Sequence, residues 1–225
     1  MKKLTWLMLI LLTGACNNSS TPGEEAVENE GDTTAESATP EAAPAKIIFF
    51  GNSLTAAYGL DPAQGFVALV QERLDSLGLR YKAVNAGLSG ETTSGGNERV
   101  DWVLDQGVDI FVLELGGNDG LRGIDPKVSY QNLVSIIEKV KKAAPEAKII
   151  LAGMEAPPNM GKTYTNEFRS IYPRLAKEFD VKLIPFLLEG VGGIPDLNQA
   201  DGIHPNVKGQ KIVLENVWKV LKGML

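Results

Sequence analysis

AKIIFFGNSL, residues 45–54, sets the reading of this chain. Residues 47–50 are Ile-Ile-Phe-Phe, an apolar run without alternation. A strand covered on one face alternates apolar and polar residues, whereas a strand covered on both faces does not. The run stops at Gly51-Asn52-Ser53-Leu54, small and polar residues of the kind that end a strand. Similar runs follow at 81–85, 110–115, 148–152 and 182–185. Helical spacing fills the intervals. Phe66, Leu69, Val70, Leu74 and Leu77 recur at threes and fours, as do Val134, Ile137 and Val140, then Phe168, Ile171, Leu175 and Phe179. A last helix from about Pro205 carries Ile212, Val213, Val217, Val220 and Leu221, and Gly78 and Pro145 fall where helices stop. Strand–helix alternation with short links predicts the α/β class: a three-layer α/β/α domain on a parallel sheet, spanning residues 46–225. No internal repeat or second domain is visible.

The 45 residues before the domain have a different character. Met1-Lys2-Lys3 is a positive start, residues 4–12 are apolar, and Thr13-Gly14-Ala15 offers small residues for cleavage. Nine apolar residues are too few to span a bilayer, which takes about 20; the pattern is a secretory signal. Cys16, the sole cysteine of the chain, comes next. Leu12-Thr13-Gly14-Ala15-Cys16 resembles a bacterial lipobox, with Thr13 where Leu is usual. The resemblance implies lipidation of Cys16 and an exported, membrane-anchored lipoprotein, periplasmic or at the cell surface. A plain cleavage site with an incidental cysteine is the other reading. Residues 17–45 hold seven acids, no base and one Val as their only large apolar side chain. They cannot bury enough surface to offset ordering entropy, so a disordered acidic linker is expected. As a flexible coil it would span roughly 30 Å.

The net charge of −6 belongs mostly to that linker. Of 28 acids and 22 bases, seven acids lie in 17–45 and two bases in 1–16, leaving 21 and 20 for the domain. A nearly neutral domain lacks the basic footprint of a nucleic-acid binder. One Cys and one His exclude a disulfide framework and a His/Cys zinc site, so no metal is expected.

Open α/β sheets bind ligands outside the carboxyl ends of their strands. After the first run comes Gly51-Asn52-Ser53-Leu54, after the second Ala86-Gly87-Leu88-Ser89-Gly90-Glu91, and after the third Gly116-Gly117-Asn118-Asp119-Gly120. A loop after the fifth carries Asp201-Gly202-Ile203-His204-Pro205, with the only histidine. There is no Gly-x-Ser-x-Gly elbow, no Ser-x-x-Lys, and no Gly-x-Gly-x-x-Gly after the first strand. Residues 156–163 (APPNMGKT) lack the leading glycine of a phosphate loop, and their two prolines remove N–H donors. Acyl transfer remains. Ser53 is a candidate nucleophile that needs a base, His204 can be that base, and Asp201 three residues earlier can hold the imidazole ring. The Gly90 N–H, the Asn118 side-chain amide and the Ser53 N–H are candidate oxyanion donors.

These four blocks, in this order, resemble the SGNH hydrolases, also called GDSL esterases/lipases, over about residues 46–222. Residues 113–123 (LELGGNDGLRG) are especially similar to the bacterial periplasmic thioesterase/lysophospholipase/arylesterase branch. The resemblance implies a flavodoxin-like sheet of five parallel strands, no cofactor, and hydrolysis of carboxylic esters, possibly including thioesters, through an acyl-serine. It assigns Ser53, Asp201 and His204 to catalysis, and Ser53, Gly90 and Asn118 to the oxyanion hole. It places an acyl groove at residues 120–125, so Gly120 and Asp125 are candidate substrate contacts. Met160, on another groove wall, is a candidate acyl contact. The family usually has Asp where this chain has Asn52, and the amide removes a negative charge beside the nucleophile. Retained activity with a shifted pH profile is expected. The expected partner is a small-molecule or lipid ester, and a monomer is expected. A membrane location favours lysophospholipids, but an acetylated sugar or an aryl ester fits the same residues, and so does a non-catalytic binding lipoprotein on this fold.

Overall fold

Ile47, Ile48, Phe49 and Phe50 are each no more than 1% exposed. They belong to a strand in the interior of a sheet covered on both faces. The computed structural model describes residues 43–225. The expected signal segment with Cys16, and the acidic linker up to residue 42, lie outside the described residues. The chain runs β1 (Ala45–Gly51), α1 (Phe66–Ser76), β2 (Tyr81–Gly87), α2 (Thr93–Leu104), β3 (Ile110–Glu114) and α3 (Gly117–Arg122). It continues with α4 (Pro126–Ala143), β4 (Lys148–Ala152), α5 (Lys162–Phe179), β5 (Lys182–Ile184) and α6 (Val207–Leu221). The five strands are all parallel and lie in the order β2-β1-β3-β4-β5. This is the flavodoxin-like order, whose switch point lies between β1 and β3.

Alternation along β1 divides the core between the two faces. Phe49 meets Phe66 of α1 edge-on at 5.7 Å, while Phe50 meets Phe111 of β3 at 5.5 Å. Helices α1 and α6 pack together as one layer, and α2, α4 and α5 form the other. Strand β2 departs from the expectation of full cover. As an edge strand it is only half-buried, and Lys82 and Asn85 face solvent.

One helix starts without apolar periodicity, and another lacks it throughout. The first half of α2, Thr93-Ser94-Gly95-Gly96-Asn97-Glu98, has no large apolar side chain. It is started by the Thr92 side chain, which accepts the Gly95 N–H, and anchored further on by buried Val100, Val103 and Leu104. Helix α3 is six residues long and holds Asn118 and Asp119, where the sequence reads as a glycine loop. Leu77 is exposed rather than buried because α1 has already ended at Ser76.

The start of α3 depends on Gly116, whose φ of +110° is costly for other residues. A Cβ there would fall onto the Tyr172 hydroxyl. That hydroxyl, buried on α5, donates to the Leu115 carbonyl at 3.0 Å. Tyr172→Phe leaves the carbonyl unsatisfied, so stability should fall by about 1–3 kcal/mol. Chemical denaturation should show this as a lower midpoint at unchanged slope; an unchanged midpoint would remove Tyr172 as the anchor of this turn.

Candidate active site

The strand ends converge as the switch-point rule requires. Ser53 follows β1 on a turn whose backbone closes by Ala56 N–H to Asn52 O (3.0 Å) and Tyr58 N–H to Ser53 O (3.0 Å). Its Oγ lies 2.9 Å from His204 Nε2, and His204 Nδ1 lies 2.6 Å from Asp201 Oδ2. Asp201 Oδ1 also accepts the N–H groups of Ile203 (2.9 Å) and His204 (3.0 Å). This compact turn is why three residues of separation suffice. The His204 bonds and the Ile203 N–H hold the Asp201 pKa down at about 2, so it is an anion across the working range. An anion on Nδ1 requires the proton there, which leaves the Nε2 lone pair to accept from the Ser53 hydroxyl. The Tyr58 ring lies 4.8 Å from the imidazole and limits its rotation.

Among the described residues, no intramolecular acceptor takes the N–H of Ser53 or of Gly90. Asn118 spends one side-chain N–H on the Glu91 carbonyl at 2.9 Å and keeps the other. Gly90 has φ +82°, and its carbonyl accepts from Arg122 at 3.0 Å. Arg99 grips the Glu91 carboxylate through two bonds of 2.7 and 2.6 Å, donates to Ala86 O, and lies over the Phe50 ring. The loop of Gly90 is thus fastened to the core. Asp119 is buried and accepts from the Thr93 N–H (2.9 Å), the Thr93 hydroxyl (2.5 Å) and the Ser129 hydroxyl (3.0 Å). It fixes α3, and with it Asn118, to α2 and α4.

The structure brings Ser53, Asp201, His204, Gly90 and Asn118 onto one rim. It places the expected groove residues less uniformly. Gly120 is buried inside α3, packed close to Ala156 and Phe168. Asp125 caps α4 by accepting the Lys127 N–H at 2.9 Å. Gly123 ends α3 with φ +66°, close to the Met160 methyl. The glycines of 120–125 therefore serve packing and helix termination. Among the described residues no group of three or more His, Cys, Asp or Glu could hold a metal ion.

Glu114 is the residue that sequence reading missed. It is buried beneath the turn and accepts from Asn52 Nδ2 (2.8 Å), the Asn52 N–H (3.1 Å) and the Thr55 hydroxyl (2.8 Å). Burial pushes its pKa up to about 7 against those donors. A carboxylate inside an otherwise apolar strand, Ile110-Phe111-Val112-Leu113-Glu114-Leu115, was the available signal.

Residues 49–212 match the GDSL-like Lipase/Acylhydrolase family. The chain belongs to that family. It is 45% identical to "Esterase TesA" of Pseudomonas aeruginosa over 83% of this chain and 92% of that protein. It is 39% identical to "Thioesterase 1/protease 1/lysophospholipase L1" of Escherichia coli over 82% of this chain and 86% of that one. A crystal structure of TesA, at 45% identity, superposes with a TM-score of 0.77 over 80% of this chain and 99% of its own. The three-layer fold, with its five-stranded parallel sheet, is that of the family.

Asp201→Asn would leave the ring near its place but favour the wrong tautomer; turnover should drop by about 10³–10⁴-fold, as in the serine-protease counterpart. Asp201 has its pKa depressed in the folded state, so its stability contribution is full above its unfolded pKa and is lost as pH falls towards about 2. The difference in Tm between wild type and Asp201→Asn should shrink as pH falls below about 5. A difference independent of pH throughout would contradict the assigned hydrogen bonds to an ionised Asp201.

Proposed function

We propose that the protein is a serine ester hydrolase that cleaves carboxylic esters through an acyl-enzyme on Ser53, with lysophospholipids as the preferred substrates. The observation that carries this reading is the chain Asp201–His204–Ser53, linked at 2.6 and 2.9 Å beside three uncommitted N–H donors. His204 Nε2 takes the Ser53 proton as Oγ attacks the ester carbonyl. The carbonyl oxygen becomes an oxyanion that accepts from the N–H groups of Ser53 and Gly90 and from Asn118. Collapse expels the alcohol, which takes the proton from His204. Water, activated by the same ring, then releases the acid and restores Ser53.

The names of the relatives support this chemistry: an esterase, a thioesterase/lysophospholipase and an arylesterase. The preference for lysophospholipids follows from the N-terminal sequence. Cleavage before Cys16 and acylation of its thiol would hold the domain on a membrane by the residue 17–45 tether, within reach of lipid substrates. No helix of the described residues is long and apolar enough to cross a membrane. The Met160 side chain, against Gly123 at the end of α3, is the proposed wall for the acyl chain, and Gly120 inside α3 and Asp125 at the start of α4 support that wall.

The test is hydrolysis of lysophospholipids and of p-nitrophenyl esters of graded chain length by wild type and Ser53→Ala. Wild type should turn over both classes, with higher kcat/KM on the lysophospholipid. Ser53→Ala should lose about 10³-fold or more. Activity surviving in Ser53→Ala would overturn the mechanism; a water-soluble short-chain ester outpacing the lysophospholipid would overturn the substrate preference alone.

A further inference from the structure

Every hydrogen-bonding neighbour of Glu114 donates to it. Oε1 takes the Asn52 side-chain N–H, and Oε2 takes the Asn52 backbone N–H and the Thr55 hydroxyl. The opposite end of the Asn52 amide faces the nucleophile: Oδ1 accepts the Leu54 N–H at 3.0 Å and lies 3.4 Å from Ser53 Oγ. One amide thus spans from the buried carboxylate to the turn that carries Ser53. Its two ends are not interchangeable. A flipped amide would aim a donor at the Leu54 N–H. Gly51 completes the seat, because a Cβ there would crowd both Glu114 and Thr55.

We propose that Glu114 is the positioning residue of the nucleophile turn and that it acts through the Asn52 amide. The proposal rests on the reading of Ser53 as the nucleophile. A carboxylate at 52 would set two buried carboxylate oxygens at hydrogen-bond distance, and such a pair holds together only by sharing a proton. The amide supplies that hydrogen permanently, so the turn keeps its geometry when Glu114 is ionised. The titratable groups nearby do not replace it. Tyr172 on α5, whose pKa burial raises, with Asp119 and Glu114 adding to it, gives its hydroxyl to Leu115 O. Asp119 on α3 is occupied by Thr93 and Ser129. His204 is bonded to Ser53 and Asp201.

The experiment is a reciprocal exchange, comparing wild type, Asn52→Asp, Glu114→Gln and the double variant. Turnover of a p-nitrophenyl ester and Tm are measured from about pH 6 to 9, where the shared proton of a carboxylate pair would be lost. Glu114→Gln sets donor against donor, so kcat should fall by about 10–100-fold with little change in KM. Asn52→Asp needs the shared proton, a folded-state pKa raised above the unfolded value. Its activity and Tm relative to wild type should therefore decline as pH rises. In the double variant the amide now at 114 donates to the carboxylate now at 52, and its oxygen still accepts from the residue 52 N–H and Thr55. Turnover should return to within about fivefold of wild type, with a ratio independent of pH. A constant Asn52→Asp to wild-type ratio across the range overturns the proposal. So does a double variant no better than the worse single one, whether by turnover or by failure to fold. If wild type shows no esterase activity, the functional reading fails by itself. The same reciprocal pattern in Tm then still supports or overturns the Glu114–Asn52 pairing.

Discussion

The hydrogen bond between Ser53 Oγ and His204 Nε2 joins residues 151 apart in sequence. Chain closure over that distance is entropically costly, so the bond exists only because the sheet and its helices hold both ends in place. Ser53 hangs from the carboxyl end of β1, while His204 sits on the loop that leads into α6. Helix α6 packs on α1, the helix that follows the Ser53 turn. A direct link reinforces that packing: the Phe66 N–H at the start of α1 donates to the Gln210 side chain of α6 at 3.0 Å. A second fastening ties the loops themselves. Gln199 donates to Tyr58 O at 2.7 Å and to Pro205 O at 3.2 Å, so the Ser53 turn and the His204 loop share one side chain.

The same logic governs the other half of the rim. Donors meant for an oxyanion must be left without internal partners, which is unfavourable unless their backbone is fixed by other contacts. Arg99 holds the Gly90 loop from beneath, and Asp119 holds α3 from within. The buried polar groups of this domain therefore concentrate under the candidate site, where Asn52, Thr55, Glu91, Thr93, Glu114, Asp119 and Ser129 are all buried. Most of them spend their bonds on backbone or side chains of the strand-end loops rather than on solvent.

Five strands and the longer helices were legible because their burial is periodic or continuous in sequence. Ile47 to Phe50 state the two-sided cover of β1 directly. The first half of α2 was not legible, since it packs on the sheet through small residues such as Gly96 at close approach to Leu115 and Phe50, and small residues carry no hydrophobic signal. Helix α3 was hidden by glycines that look like loop residues but serve close packing and caps. At the site, Asp201 and His204 were legible because a single turn contains both. Ser53, Gly90 and Asn118 were legible from their places after strands. Glu114, Arg99 and Gln199 act on the rim from elsewhere in the chain, through contacts that only the folded sheet creates.

The proposed chemistry stands on Ser53 as a nucleophile that His204 activates. It is tested most directly by mass spectrometry of the protein after a fluorophosphonate probe, comparing wild type with His204→Ala. One phosphonyl group per chain is expected, on the peptide containing Ser53, with labelling slowed by at least about 10²-fold in the variant. Labelling at another residue, or equal rates in the two proteins, would contradict it.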